Sequence, residues 1–396
     1  MNRYERPSQH VSLRLPRPDR TLETFHLSAP RDFPECTEAK LNRIAFSAVH
    51  VVADPMANID PWVDTAIDWD RTIAFREHIW DLGLGVAEAM DTAQRGMGLD
   101  WPTSLELIRR SVEAARPRRG LVFSGVGTDH LAPEAANNLD DVLHAYEQQV
   151  GAVEAIGGRI VLMASRALAR VARSADDYAK VYGSILSQVR EPVIIHWLGD
   201  MFDPQLAGYW GSSDLDAATD TAVAIIKANA KKVDGVKISL LDKDREIAMR
   251  RRLPASVRMY TGDDFNYAEL IAGDGERYSD ALLGIFDVIA PAASAALVKL
   301  AANDAKGFHE ILAPTVALSR HIFRAPTRFY KTGVVFMAYL NGHQDHFTLV
   351  GGQESARSIL HLADIFRLAD AAGLLRDPEF AAQRMRTVMA ARGVES

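Results

Sequence analysis

Cysteine is almost absent from this 396-residue chain: Cys36 stands alone, so no intrachain disulfide can form. A lone thiol can serve as a nucleophile, but no His-rich stretch lies beside Cys36. There is no run of about 18 apolar residues, the length a bilayer-spanning helix needs. The opening MNRYERPSQHVSLRLPRPDR has no apolar core and does not read as a secretory signal, so the expected location is the cytoplasm. Positive charge is not in excess either. The 45 Lys and Arg are outnumbered by 52 Asp and Glu, for a net charge of −7, and the basic residues are scattered rather than striped. That balance argues against nucleic acid or an anionic membrane as a partner. No G-x-G-x-x-G follows an early strand, which removes the main signature of a dinucleotide-binding open sheet.

What remains is an ordinary globular composition, 48% hydrophobic and 24% charged, organised as short apolar runs alternating with amphipathic stretches. The predicted strands are RIAFSAVHV (43–51), LGVAEAM (84–90), GLVFSGV (120–126), RIVLMAS (159–165), PVIIHWL (192–198), DGVKISL (234–240), VRMYTG (257–262) and ALLGIFDVI (281–289). Most are continuous rather than alternating, as in strands covered on both faces. Helical patterns lie between them. LDDVLHAYEQQVGAVEAIGG closes on a Gly-Gly stop, and SADDYAKVYGSILSQV opens with Ser174 as a candidate N-cap. Eight strands alternating with helices over roughly 250 residues suit an α/β fold of the (β/α)8 TIM-barrel type. The expected organisation is an N-terminal extension with a possible hairpin (1–42), the barrel (43–290) and a C-terminal helical region (291–396). The last covers the barrel or builds an oligomer interface.

Reactive groups of such barrels gather at the C-terminal ends of the strands. Those ends carry His50, Glu88, Asp91, Thr92, Asp129, His130, Arg166, His196, Lys237, Asp263 and Asp264. Lys237 is the informative member. In DGVKISL, alternation sets Val236 and Ile238 on one face and Lys237 on the other. If the apolar pair meets the helices, Lys237 enters the barrel. Desolvation there favours the neutral amine, which attacks a ketone or aldehyde to form an imine. The open alternative is a Lys whose head reaches solvent or pairs with Asp242.

GVKISLLD resembles the sixth-strand motif of the dihydrodipicolinate synthase and N-acetylneuraminate lyase superfamily, whose Lys forms a Schiff base. Flanking segments agree in order: AIDWDRTIAFREHIWDLGLGVAEAMDT, SADDYAKVYGSILSQVREPVIIHW, VRMYTGDDFNYAELIAGDGE and FYKTGVVFMAYLNG. Together they carry the resemblance over roughly residues 43 to 345. The resemblance implies an imine-forming Lys237, no cofactor or metal, and a homo-oligomer, dimer or tetramer. It also places Asp263 and Asp264 at the barrel mouth.

Two departures limit it. The family's fifth strand ends in a proton-relaying Tyr where this chain has His196, itself a residue type suited to proton transfer near neutral pH. The family's carboxylate-gripping Gly-Thr-Thr-Gly-Glu turn is MDTAQ here, with Asp91 and Thr92 at the two Thr positions. An ionised Asp91 repels a substrate carboxylate, by several kcal/mol at an effective dielectric near 20. A sugar- or polyol-derived ketone or aldehyde, whose hydroxyls Asp91 accepts, therefore fits better than a 2-keto acid. Glu88, His50, Asp129, His130 and Arg166 complete the expected substrate contacts.

The expected activity is a Schiff-base lyase or aldolase with Lys237 as nucleophile and His196 relaying protons. Two other readings stay open. One is a metal-dependent barrel isomerase or hydrolase using His50, Glu88, Asp91, His130 and His196, although no H-x-H motif supports it. The other is a carbohydrate-binding barrel without catalysis.

Overall fold

A computed structural model describes residues 11–34 and 41–395; Cys36 lies outside them. The N-terminal segment forms an antiparallel hairpin of β1 (Ser12–Pro16) and β2 (Leu22–His26), with Ser12 opposite His26. Eight strands follow: β3 (Ala45–Ala48), β4 (Gly85–Glu88), β5 (Val122–Val126), β6 (Arg159–Leu162), β7 (Val193–Leu198), β8 (Val233–Ser239), β9 (Arg258–Thr261) and β10 (Asp280–Leu283). They run parallel and close into a barrel in chain order, with β10 pairing back onto β3. The fold is a (β/α)8 barrel with a helical C-terminal addition.

The barrel helices are α1 (Trp69–Asp81), α2 (Trp101–Arg118), α3 (Leu139–Ala155), α4 (Arg166–Val171), α5 (Ala175–Gln188), α6 (Leu215–Ala228), α7 (Lys243–Arg252), α8 (Tyr267–Ala272) and α9 (Ile285–Val288). The addition comprises α10 (Ala290–Ala301), α11 (Ala305–Ile322), α12 (Tyr330–Leu340), α13 (Ile359–Ala371) and α14 (Pro378–Ala391). Helix starts follow the capping chemistry in the sequence. Asp68, Asp100 and Asn138 accept backbone N–H groups of α1, α2 and α3. Ser174 stands at the N-cap of α5, its own N–H held by Asp177 at 3.2 Å. No helix among the described residues is long and apolar enough to cross a membrane.

Strand alternation divides the apolar residues into two bodies. Phe46, Ala87, Phe123, Val161, Ile194, Tyr260 and Leu282 fill the barrel interior, with Phe46 edge-on to Phe123 at 5.2 Å. Val236, Ile238, Val86 and Ile195 join the larger core between strands and helices. Lys237 therefore points inward.

One predicted strand is corrected. ALLGIFDVI is extended only through Leu283, and Ile285–Val288 is a helical turn. The Asp264 carboxylate accepts the Ile285 N–H at 2.9 Å and caps that turn. A continuous apolar run looks the same whether it is a buried strand or a buried helix.

Glu246 of α7 is fully buried, accepting hydroxyls from Thr261 (2.9 Å) and Ser279 (2.7 Å). Burial pushes its carboxyl up to about 8, against the pull of those hydroxyls. The folded state thus binds this proton more tightly than the unfolded chain, so stability is highest below the ordinary value of 4.5 and falls as pH rises toward about 8. Glu246→Gln should flatten that decline. Urea unfolding midpoints at pH 5 and pH 8 should differ less in the variant than in the native protein.

Candidate active site

The site is built where β8 stops. Lys237 is register partner to His196 on β7 and to Tyr260 on β9, so all three side chains share the inner face. Tyr260 fills the floor, while Lys237 lies in a narrow cleft with Asp91, Thr92, Ser239, Asp264 and Tyr330. Lys237 is 7% exposed. Burial pulls its amine below the ordinary lysine value, while the Asp91 and Asp264 carboxylates oppose that pull. Gly262 leaves the space it needs: a Cβ there would stand 2.2 Å from Ser239 Oγ and 2.9 Å from Lys237 Cε.

Asp264 is the cleft's second titrating group. One oxygen caps Ile285, and burial raises the carboxyl to about 7, with that hydrogen bond and Lys237 holding it from rising further. A carboxyl poised near neutral pH beside a depressed amine can both donate and accept a proton in the cleft.

Tyr330 reaches the cleft from the start of α12, with Lys331 next to it in the chain. Tyr330 OH meets Thr92 Oγ1 at 2.8 Å, and the ring stacks on Phe323 with centroids 4.3 Å apart. Burial pushes the Tyr330 phenol well above its usual range, with Asp91 adding to the effect. Lys331 is also buried. Desolvation lowers its amine to about 8 against the pull of Asp91 and Asp203, and its Nζ donates to the Arg328 carbonyl at 3.0 Å. Neither residue emerged from the sequence. FYKTGVVFMAYLNG stood out as a helical segment that carries part of the family resemblance, but neither residue was given a role, and the polar Tyr-Lys pair at its start was the available signal.

His196 is fully buried, and its Nε2 lies 3.3 Å from Ser239 Oγ. Burial and then the Lys237 charge push it well below the ordinary value, so the ring is neutral at pH 7. No hydrogen bond joins it to Lys237 among the described residues; Ser239 stands between the ring and the cleft.

A second pocket adjoins the first, sharing Asp91 and Leu198 as walls. It holds His196, Arg95, Asp129, Arg166 and Asp203. Arg95 pairs with Asp129 at 2.7 Å, and Arg166 Nε meets Asp203 at 2.5 Å. Burial alone would raise the Asp129 carboxyl, but Arg95 outweighs it and keeps the group below the usual carboxylate range.

Four expected contacts lie elsewhere. Glu88 follows inward-facing Ala87, so it points to the helical layer, where Arg76 grips it at 2.9 and 3.0 Å and Ser111 and the Ala89 N–H complete its shell. His50 gives both its N–H and its Nδ1 to Asp287 Oδ2, at 2.8 and 2.7 Å, with its ring against Phe75. His130 is exposed and bonded to Gln148 and Gln149 of α3. Asp263 turns away from the cleft to accept the Phe265 and Asn266 N–H groups and so shapes the loop. With these donors engaged apart, the described residues contain no cluster of three or more His, Cys, Asp or Glu able to hold a metal.

A family profile matches residues 13–394, nearly the whole chain. The protein belongs to the DUF993 family. That family is described as proteins of unknown function. No curated protein matches the sequence. Among solved structures, this DUF993 chain is similar to dihydrodipicolinate synthase from Aquifex aeolicus, at 14% identity and a TM-score of 0.62, covering 84% of this chain and 99% of the other. It is also similar to the Acinetobacter baumannii enzyme complexed with pyruvate, at 16% identity and a TM-score of 0.61, covering 85% and 100%. A monomeric dihydrodipicolinate synthase variant matches at 14% and 0.62, covering 84% and 97%. The likeness is one of fold, and it agrees with the resemblance that GVKISLLD carries.

Proposed function

We propose that the protein is a Schiff-base-forming lyase or aldolase acting on a small carbonyl compound, with a sugar- or polyol-derived ketone or aldehyde preferred over a 2-keto acid. The observation that carries this reading is an inward-facing, desolvated Lys237 amine between Asp91 and Asp264 at the barrel mouth. The neutral amine adds to the carbonyl carbon, and the resulting carbinolamine loses water to give a protonated imine. In the cleavage direction, a base takes the proton of the hydroxyl β to the imine. The carbon–carbon bond then breaks, an aldehyde leaves, and the bonding electrons pass to the imine nitrogen as an enamine. Protonation of the enamine carbon and hydrolysis release the second product.

Asp264 fits the proton-transfer role by its position and its value of about 7. The Thr92–Tyr330 hydroxyl pair offers a second route along the cleft wall. His196, neutral and bonded to Ser239, acts through that hydroxyl rather than on the imine directly. The Asp91 carboxylate in the cleft favours hydroxyls over a second carboxylate.

The reading is tested by borohydride reduction in the presence of carbonyl compounds, including keto acids, short ketones and ketoses. The expected result is a stable adduct whose mass equals substrate plus Lys237 less water plus two hydrogens, located by peptide mass spectrometry. A panel that leaves Lys237 unmodified throughout would sink the proposal.

A further inference from the structure

The pocket beside the lysine cleft has no part in imine formation, yet it is continuous with it. Asp91 and Leu198 wall both spaces. Its polar side chains differ in how fully they are engaged. Arg95 is saturated, giving Nε and Nη2 to Asp129, Nη2 also to Gln149, and Nη1 to the Gly125 carbonyl. Arg166 gives only Nε, to Asp203, and its two terminal nitrogens make no hydrogen bond among the described residues. Gly96 borders that end of the guanidinium, where a Cβ would stand at ordinary contact distance, 3.6 Å from Nη1. The Asp91 carboxylate likewise accepts no hydrogen bond from a described residue. Two terminal N–H donors and one free carboxylate thus face a single space, and each matches a hydroxyl, which both accepts and donates.

Charge separates the possible ligands. The pocket lining holds three aspartates, Asp91, Asp129 and Asp203, against two arginines, Arg95 and Arg166, a balance of −1. Both arginines are already paired with carboxylates. A phosphate or carboxylate tail would enter against a net negative wall, whereas a neutral hydroxylated chain meets no such cost. Leu131, Met163, Ala164 and Leu206 supply apolar surface for the carbon backbone of such a chain.

We infer that this pocket is a specificity subsite for an uncharged polyhydroxylated chain, with Asp91 and Arg166 binding its hydroxyls. It selects substrates longer than three carbons. The assignment rests on the imine reading only for where the carbonyl end lies. Occupancy of the pocket by hydroxyls does not require it, and the experiment exploits that.

Sugar alcohols have no carbonyl and cannot react with Lys237, so they probe the subsite alone. Isothermal titration of the full chain is expected to show sorbitol binding at least about tenfold more tightly than glycerol, and sorbitol 6-phosphate no more tightly than sorbitol. Arg166→Met, which keeps the side-chain stem, and Asp91→Asn should each weaken sorbitol by about 10- to 100-fold, the effect of losing hydrogen bonds to a charged group. Thermal unfolding of each variant checks that the fold persists. Equal affinities for sorbitol and glycerol overturn the inference, as does a phosphate arm that binds more than tenfold more tightly. So do sorbitol affinities that both variants leave unchanged. Because no covalent step is involved, these outcomes are independent of whether borohydride traps an adduct.

Discussion

Lys237→Met is expected to abolish turnover and borohydride trapping while leaving the barrel folded. Methionine approximates the length of the lysine stem and brings no charge into a site where Lys237 is 7% exposed. The cost of desolvating an ammonium disappears, so stability should change by no more than about 1 kcal/mol. Chemistry has no substitute for the nucleophile. Arg95 in the adjoining pocket is always protonated and cannot form an imine, and Lys331 is turned to the Arg328 carbonyl. The expected fall in kcat/KM is at least about 10⁴-fold, the scale seen when a covalent nucleophile is removed. A further sign follows from the electrostatics. Lys237 helps hold the Asp264 carboxyl down, so the variant should raise that group above its value of about 7. Carboxyl infrared spectroscopy or NMR titration would read this shift. A variant that retains more than a few per cent of native kcat/KM, with purity established by mass spectrometry, would reject Lys237 as the nucleophile.

The inward orientation of Lys237 was legible in the sequence because a strand's period is two. Val236 and Ile238 identified the helix-facing side of β8, and the structure has both in the outer core. The same parity would have excluded Glu88. Its neighbour Ala87 lines the interior, and adjacent residues on a strand face opposite ways. Treating each polar strand end as part of the mouth, whichever face it occupied, is what placed Glu88 wrongly. Asp263 and Asp264 illustrate a different limit, for both follow the strand and only one enters the cleft. Loop conformation, not period, decides that, and the backbone N–H groups of Phe265 and Asn266 claim Asp263. Tyr330 was illegible for a third reason. Its partner Thr92 is 238 residues away, and no local pattern reports a contact made by folding a C-terminal helix over the barrel mouth.

The parity error has a measurable consequence. Glu88→Ala should destabilise the protein by about 3–5 kcal/mol without selectively changing substrate affinity. Both side chains of the Arg76–Glu88 pair are 0% exposed. Arg76 also donates to the carbonyls of His50 and Thr72, so it cannot swing to solvent when its carboxylate is removed. The penalty is therefore chiefly that of an unpaired guanidinium left between α1, α2 and β4, together with the loss of acceptors for Ser111 and the Ala89 N–H. Urea unfolding gives the stability change. Borohydride trapping at a temperature where the variant stays folded gives the site's integrity, which should be retained. Removing both partners provides the decisive contrast. Arg76→Leu with Glu88→Leu eliminates the stranded charge, so the double variant should recover much of the loss despite carrying two substitutions. A Glu88→Ala protein of native stability but sharply raised KM would instead return Glu88 to the substrate site. The 2.9 and 3.0 Å fork to Arg76 argues against that outcome, because a carboxylate already held by both oxygens has little capacity left for a ligand.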